Sequence, residues 1–364
     1  MDKKEIIFFA PTLEDGGVEK NLKLISNFLV TKFNNITLIT SSKNQKKEFK
    51  NKIKFIIPKI KFVLKFSRRL NFIICSYLLF KKLIKSKNPT VISFQGNIYS
   101  IIVCKLLSVK IIIRSNISPD GLPRNRLKFF LYKIVYSFAD KIIVNSESFK
   151  KRMKNILNLN ATCIYNPLDK TRIKSLSQKK IKFNFFKLNK LNILNIGRLV
   201  DQKNQKCLIN ALIKIKHIIP FKLLIIGNGK NKQDLIKMVK QNNITKDVKF
   251  LPFIKNPYPY FLKSNLFILS SVYEGLPNVL LEAITLNNFI ISSNCPTGPK
   301  EILKNGKGGL LFRNNDHLDL KNKLIYYYKN RISCNKRKKI GYKNLIKFDE
   351  KNNLNKYYKI IKIF

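Results

Sequence analysis

Short apolar runs alternate with longer two-faced patterns along the chain. In the first half, Ile6–Phe9, Ile36–Ile39, Val91–Phe94, Lys110–Ile113 and Lys141–Val144 are runs rich in β-branched residues, bounded by polar or turn residues, and each predicts a buried strand. Between them the spacing predicts helices over Glu19–Lys32, Phe72–Lys85 and Lys128–Phe138. The rhythm restarts later. Leu191–Ile196, Phe221–Ile226, Val248–Leu251, Leu266–Leu269 and Phe289–Ser292 predict strands, and Gln205–Ile218, Lys232–Asn242, Pro277–Asn287 and His317–Lys329 predict helices. Strand–helix alternation of this kind argues for an α/β fold with a parallel sheet covered on both faces. Two such halves in succession give two doubly wound, Rossmann-like domains. The boundary is expected within Asp169–Lys190, a segment rich in Lys, Ser and Gln that follows the turn-forming Asn166-Pro167. The expected domains are residues 1–178 and 179–344, with a last helical stretch over 345–364 packing back across the first domain.

Length agrees with that division, since 364 residues suit two domains better than one. A 45% hydrophobic content supplies a core and argues against a disordered chain. The formal net charge of +52 is the outlier. Compositional drift accounts for it as well as function does, because Lys, Asn, Ile and Phe are abundant throughout and Trp is absent. Two functional readings stand beside drift: attraction to an acidic lipid surface, and nucleic-acid binding, for which no helix-turn-helix, RNP or zinc-finger pattern speaks. Six cysteines without CxxC spacing and only two histidines argue against a zinc cluster and for small core fillers in a reducing compartment. The apolar stretch within Met1–Ala10 is too short for a secretory signal, and Leu70–Phe80 falls well short of the ~20 residues a membrane-spanning helix needs. One segment is unusual. From Lys54 to Lys87 apolar residues, Phe62, Val63, Leu64 and Phe66 among them, interleave with Lys and Arg without an acid, a pattern suited to an anionic membrane interface or to a packed helix with a solvated basic face.

Three loops carry candidate chemistry. Strand Leu266–Leu269 leads into a loop with Glu274, Gly275, Leu276 and Pro277, and then a helix carrying Glu282. Pro277 suits a first helical turn, and the amides of a helix start favour an anion. Either carboxylate can accept hydrogen bonds from sugar or ribose hydroxyls. After Leu191–Ile196 comes Gly197-Arg198-Leu199, with Lys203 nearby, which sets two cations at the carboxyl end of a strand, as a diphosphate requires. Gly197 is expected to permit a close turn there. Near the start, Gly16-Gly17-Val18-Glu19 opens a helix and lets backbone approach a phosphate or sugar. Each loop alone is unspecific; their order and spacing together are specific.

With those residues in place the sequence resembles the retaining GT-B glycosyltransferases of family 4, most strongly over Asn195–Leu311. The two glutamates, Gly197-Arg198-Leu199 with Lys203, and Gly16-Gly17-Val18-Glu19 match its motifs. So do Asn166-Pro167-Leu168-Asp169 and Gly227-Asn228-Gly229, while Cys295–Ile302 resembles a variant found with galactose- or N-acetylhexosamine-type donors. The resemblance implies two domains facing a central cleft, with Arg198 and Lys203 on the donor diphosphate, Glu282 on the ribose, Glu274 on the donor sugar, and Gly16 and Gly17 closing over the phosphates. It implies transfer from a nucleotide sugar, UDP-linked by expectation, to a glycan or lipid-linked acceptor in surface polysaccharide or lipopolysaccharide synthesis. The enzyme would be cytoplasmic, at the inner membrane face, with no cofactor beyond the donor. No Asp-x-Asp occurs, so metal independence is expected. One departure stands out: many members carry a histidine in the first domain, whereas His217 and His317 both lie in the second half, and Asn116 occupies a comparable loop. A UDP-amino-sugar epimerase of the same architecture is the alternative enzyme.

Overall fold

A computed structural model describes residues 2–14, 16–42, 46–59, 68–116, 118–121 and 125–364. The chain divides into two compact units, residues 1–167 with 350–364, and residues 168–349.

Unit 1 runs β1 (Asp2–Phe9), α1 (Gly17–Leu29), β2 (Phe33–Ile39), β3 (Lys54–Ile56), α2 (Arg68–Ile84), β4 (Thr90–Ser93), α3 (Asn97–Leu106), β5 (Lys110–Arg114), α4 (Arg126–Ser137), β6 (Lys141–Val144), α5 (Glu147–Leu157) and β7 (Thr162–Cys163). Its sheet is parallel in the order β3-β2-β1-β4-β5-β6-β7. Successive side chains of β1 go to opposite faces, as strand geometry requires. Ile6 and Phe8 join α1 and the C-terminal helix on one side, while Ile7 and Phe9 join α2 and α3 on the other. Both faces are therefore dry, which is why the central strands read as continuous apolar runs rather than alternating ones.

Unit 2 runs α6 (Lys170–Ser177), β8 (Leu191–Ile196), α7 (Gln205–Ile213), β9 (Phe221–Ile226), α8 (Lys232–Gln241), β10 (Val248–Leu251), α9 (Tyr258–Leu262), β11 (Leu266–Leu269), α10 (Asn278–Thr285), β12 (Phe289–Ser293), α11 (Pro299–Ile302), β13 (Leu310–Phe312), α12 (His317–Lys329) and α13 (Arg331–Asn344). Its parallel sheet has the order β10-β9-β8-β11-β12-β13. Both sheets thus use one winding scheme, with the first strand of each unit central and the chain stepping outward, then crossing to the other side. The last helix, α14 (Glu350–Ile363), belongs to unit 1, where Leu354, Tyr357 and Ile361 enter the core. Lys4 donates to the Ile361 carbonyl at 2.9 Å, which fastens the helix to the central strand β1.

Three expectations need correction. The boundary does not fall within Asp169–Lys190: α6 occupies the start of that segment, capped by Asp169 (whose side chain accepts from Arg172 N at 2.8 Å) and anchored in unit 2 by buried Ile173 and Ser177. The units consequently divide after Pro167 rather than at residue 178. The stretch 345–364 is two pieces, since the turn Leu345–Phe348 buries Leu345 and Phe348 in unit 2 before α14 begins. Within Lys54–Lys87, residues 54–56 form edge strand β3 and 68–84 form α2, while Phe62, Val63, Leu64 and Phe66 lie outside the described residues.

Candidate functional site

In unit 2 the loops after β8 and β11 converge at the carboxyl end of the sheet, where ligands of open α/β sheets bind. Asn195, near the end of β8, donates from Nδ2 to the Ile268 carbonyl of β11 at 2.9 Å and ties the two central strands just below the loops. The loop after β8 then crosses to the other. Val272 N donates to the Gln202 carbonyl at 2.8 Å, Gln202 Nε2 to the Tyr273 carbonyl at 2.9 Å, and Ser270 Oγ to the Lys203 carbonyl at 2.9 Å. This lacing delivers Lys203 Nζ to within 2.5 Å of Glu274 Oε1. Their side chains are 18% and 9% exposed, so the ion pair sits largely out of water. A pair at that depth resists exchange, because removing either partner leaves a desolvated charge.

Arg198 differs from Lys203. Its side chain is exposed, while its carbonyl accepts from Gln205 Nε2 at 3.1 Å. The backbone of the loop is fixed and the guanidinium is presented to solvent, ready for an anion. Glu282 lies in α10, 8% exposed, with the Tyr258 hydroxyl 3.4 Å from its Oε1.

The glycines have different jobs from those expected. Gly197 lacks a positive φ, and a Cβ there would meet only the Lys203 side chain, at 3.6 Å. The close approach belongs to Gly227 and Gly229, whose absent Cβ atoms leave room for the carbonyls of Gly197 and Leu199; Gly227 also takes φ +154°. Leu199 N donates to the Asn228 carbonyl at 2.8 Å, so the turn after β9 is a backboard for the Arg198 loop. A second backboard supports the Glu274 loop. Gly298, at φ +88°, leaves room for the Gly275 carbonyl, 2.5 Å from where a Cβ would stand, and for Pro277 Cδ at 2.7 Å. Thr297 Oγ1 donates to the Glu274 carbonyl, and Leu276 and Pro277 are buried against this floor. Pro277 itself is the extended N-cap residue of α10 (ψ 104°) rather than a member of its first turn. Burial, with the Glu274 charge second, pushes the Cys295 thiol up to about 12, so it is a packed, unreactive group.

Gly16 and Gly17 lie in unit 1, at the carboxyl end of β1 and the start of α1. Gly16 is extended, at φ −116°, and its missing Cβ makes space for the Glu19 carboxylate, with Oε2 2.6 Å from the Cβ position. Gln95 Nε2 donates to Glu19 Oε1 at 2.6 Å, and Thr12 Oγ1 donates to Gln95 Oε1 at 2.7 Å. Burial raises the Glu19 carboxyl above its ordinary value.

The same unit holds Arg114, which is 1% exposed at the end of β5. It donates to the Tyr357 hydroxyl at 2.9 Å, to Asn166 Oδ1 at 2.5 Å and to Asn116 Oδ1, and lies over the Phe94 ring at 5.4 Å. Asn116 is accordingly a structural partner of this guanidinium, and it also donates to the Phe94 carbonyl at 2.7 Å. No sequence pattern marked Arg114, Gln95 or Ser270, and Thr297 fell within the Cys295–Ile302 resemblance without a role of its own; their roles depend on contacts between distant loops.

Two family models match the chain, Glycosyltransferase Family 4 over residues 15–172 and Glycosyl transferases group 1 over 177–344. A diphospho-undecaprenol 4-alpha-N-acetylgalactosaminyltransferase of Campylobacter jejuni, named for the N-acetylgalactosamine-N,N'-diacetylbacillosaminyl lipid, is 31% identical over 60% of this chain and 57% of its own. A second Campylobacter jejuni enzyme, an alpha-1,4-N-acetyl-D-galactosaminyltransferase, is 27% identical over 88% of each chain. The chain spans about half the length of the relatives above 30% identity, 46% and 57%. Anabaena HepE in complex with UDP shares the fold, with a TM-score of 0.77 over 99% of this chain and 100% of that one at 14% identity. Among the described residues no helix is long and apolar enough to cross a membrane.

Proposed function

The chain belongs to the GT-B glycosyltransferases, and from that premise we propose that it moves a hexose or N-acetylhexosamine from a UDP-sugar to a glycan or lipid-linked acceptor, with retention and without a metal ion. The observation that carries this reading is the laced cluster in unit 2, where one exposed guanidinium and one buried Lys–Glu pair share the carboxyl end of β8 and β11. The similarity to N-acetylgalactosaminyltransferases acting on lipid diphosphates supports the sugar and acceptor classes.

In this reading Arg198 and Lys203 hold the donor diphosphate. When the bond from C1 to the β-phosphate oxygen breaks, its electron pair passes to that oxygen, and the two cations stabilise the charge that develops. Lys203 stays aimed because Glu274 fixes its ammonium, and Glu274 keeps a second carboxylate oxygen for hydroxyls of the donor sugar. Glu282 accepts from the ribose, held by Tyr258. The acceptor hydroxyl bonds to C1 and gives its proton to the departing phosphate. Metal independence rests on the cations doing the work that a divalent ion would otherwise do.

The test is turnover with a panel of UDP-sugars and a glycosylated lipid diphosphate acceptor, run with and without EDTA, with the product's anomeric coupling read by NMR. Transfer that persists in EDTA with the donor's α configuration supports the proposal. EDTA-sensitive transfer would overturn metal independence, a β product would overturn retention, and donor epimerisation without acceptor would overturn transfer itself.

A further inference from the structure

A groove of about 590 Å³ lies wholly in unit 2, where α6, α9 and α10 end beside α13. That volume is within the ~300–1,000 Å³ of ordinary small-molecule sites. Its walls carry four lysines. Lys338, Lys339 and Lys343 come from α13, where with Tyr342 they stand at i, i+1, i+4 and i+5 and so share one face. Lys174 comes from α6. Leu262 and Leu286 add apolar lining.

In a chain with 72 Lys and Arg against 20 acids, a basic patch alone says little. This one differs in its local balance. Helices α6, α9, α10 and α13 together hold nine Lys and Arg against one acid, Glu282, which is buried beside the Tyr258 hydroxyl. Among the described residues no carboxylate lies within ion-pair distance of any of the four lysines, whereas Lys23, Lys82, Lys105, Lys203 and Lys222 each have one. Lys174 Nζ donates to the Tyr342 hydroxyl at 3.3 Å, which leaves the hydroxyl proton for a further acceptor. Burial lowers the Lys338 ammonium below its ordinary value, and an anion beside it would offset that cost. The last carbonyls of α6, α9 and α10 oppose an anion, but they bring at most about half a negative charge each, and four full ammonium charges outweigh them. A single phosphate carries roughly −1.5 to −2, about half of what four ammonium groups balance.

We propose that this groove is a second anion site that takes a small polyphosphate with an apolar body, of the nucleoside triphosphate class, with the four lysines on its phosphates and Tyr342, Leu262 and Leu286 against its base. The site does not depend on the donor reading. Helix α10 begins at the Glu274 loop and ends at the groove, so the two clusters stand at opposite ends of one helix.

Calorimetric titration of magnesium-free ATP, and separately of inorganic tripolyphosphate, into the full chain already holding UDP tests it. One ATP per chain should bind, several-fold more tightly than tripolyphosphate; the reverse order would remove the apolar body from the proposal. Lys338→Gln/Lys343→Gln should weaken both by at least about tenfold, the loss of charged contacts. Lys237→Gln/Lys240→Gln removes the same charge from the exposed side of α8 and should change neither by more than about twofold. Arg198→Ala, titrated without UDP, should still bind ATP as the wild type does. UDP-dependent thermal stabilisation that survives in both double variants shows that they fold. Equal weakening in the two double variants would overturn the site, since it would make the binding a property of the overall charge. So would uptake of several ATP per chain without saturation, or no binding at all.

Discussion

The two units wind their sheets in the same order yet spend their polar residues differently. In unit 2 the charges stand in the loops at the carboxyl end of the sheet: Arg198 is exposed, and Lys203 and Glu274 are paired at 2.5 Å. In unit 1 a guanidinium is hidden. Arg114 is 1% exposed, and its partners are a phenol and two amides. Among the described residues no carboxylate lies within ion-pair distance of it. It joins β5 to the exit segment at Asn166 and to the returning α14, so it ties the sheet to the two places where the chain leaves and re-enters the unit. The contrast teaches that one scaffold serves two purposes. One copy displays charge at the carboxyl end of its sheet, and the other uses charge as an internal tie and presents apolar helices to its surroundings.

The largest effect should come from removing the displayed charge. Arg198→Ala is expected to lower kcat/KM for transfer by about 10²–10³, as for loss of one preorganised electrostatic contact, with little change in stability. Steady-state kinetics and a thermal melt on the same variant check both halves. A variant that melts early but turns over normally when folded would remove Arg198 from the site.

Next is the backboard. Gly229→Ala places a Cβ against the Leu199 carbonyl, a backbone atom that cannot rotate away. The expected cost is roughly 2–4 kcal/mol, confined to unit 2. Chemical denaturation monitored in each unit separately would show it; an unperturbed melt would mean the turn has slack.

The buried pair comes third. Glu274→Gln and Lys203→Met should each destabilise unit 2 by about 2 kcal/mol, and the double variant should be less unstable than the sum, because each single change strands a desolvated charge. A double-mutant cycle on stability reads this coupling directly. Additive losses would show that the two groups do not depend on each other.

The smallest effect tests unit 1. Burial raises the Glu19 carboxyl above its ordinary value of 4.5. The folded state therefore binds the proton more tightly than the unfolded state. Between the ordinary and the raised value stability falls as pH rises, and above the raised value the full penalty remains. Glu19→Gln keeps an acceptor for Gln95 and should be more stable than wild type at pH 7, by under about 1 kcal/mol, with the gap closing below pH 4. A gap that persists at low pH would point to packing instead of charge.

Much of the scaffold was legible in the residues. Leu191–Ile196, Phe221–Ile226 and Leu266–Leu269 are strands with the bounds their apolar runs predict, because each is buried on both faces, and edge strand Val248–Leu251 also keeps its predicted bounds with only Val248 fully buried. Strands β3, β7 and β13 were not legible, being two or three residues long and stabilised by neighbours rather than by their own pattern. Helix α13 was hidden for another reason. Arg331–Asn344 is mostly polar, and it packs through Cys334 and Gly341, the latter with its backbone against Gly308. In the site, Glu274 and Lys203 could be picked out singly by type and spacing. Their ion pair could not, because it depends on Gln202, Ser270 and Thr297 bonding to backbone carbonyls 23 to 71 residues away.

The measurement closest to the central claim is calorimetric titration of UDP into the wild type, Arg198→Ala and Glu282→Gln. One UDP per chain should bind the wild type, with at least about tenfold weaker binding in each variant, the loss of one hydrogen-bonded or charged contact. UDP binding of undiminished affinity in both variants would contradict the assignment of this cluster as the donor site.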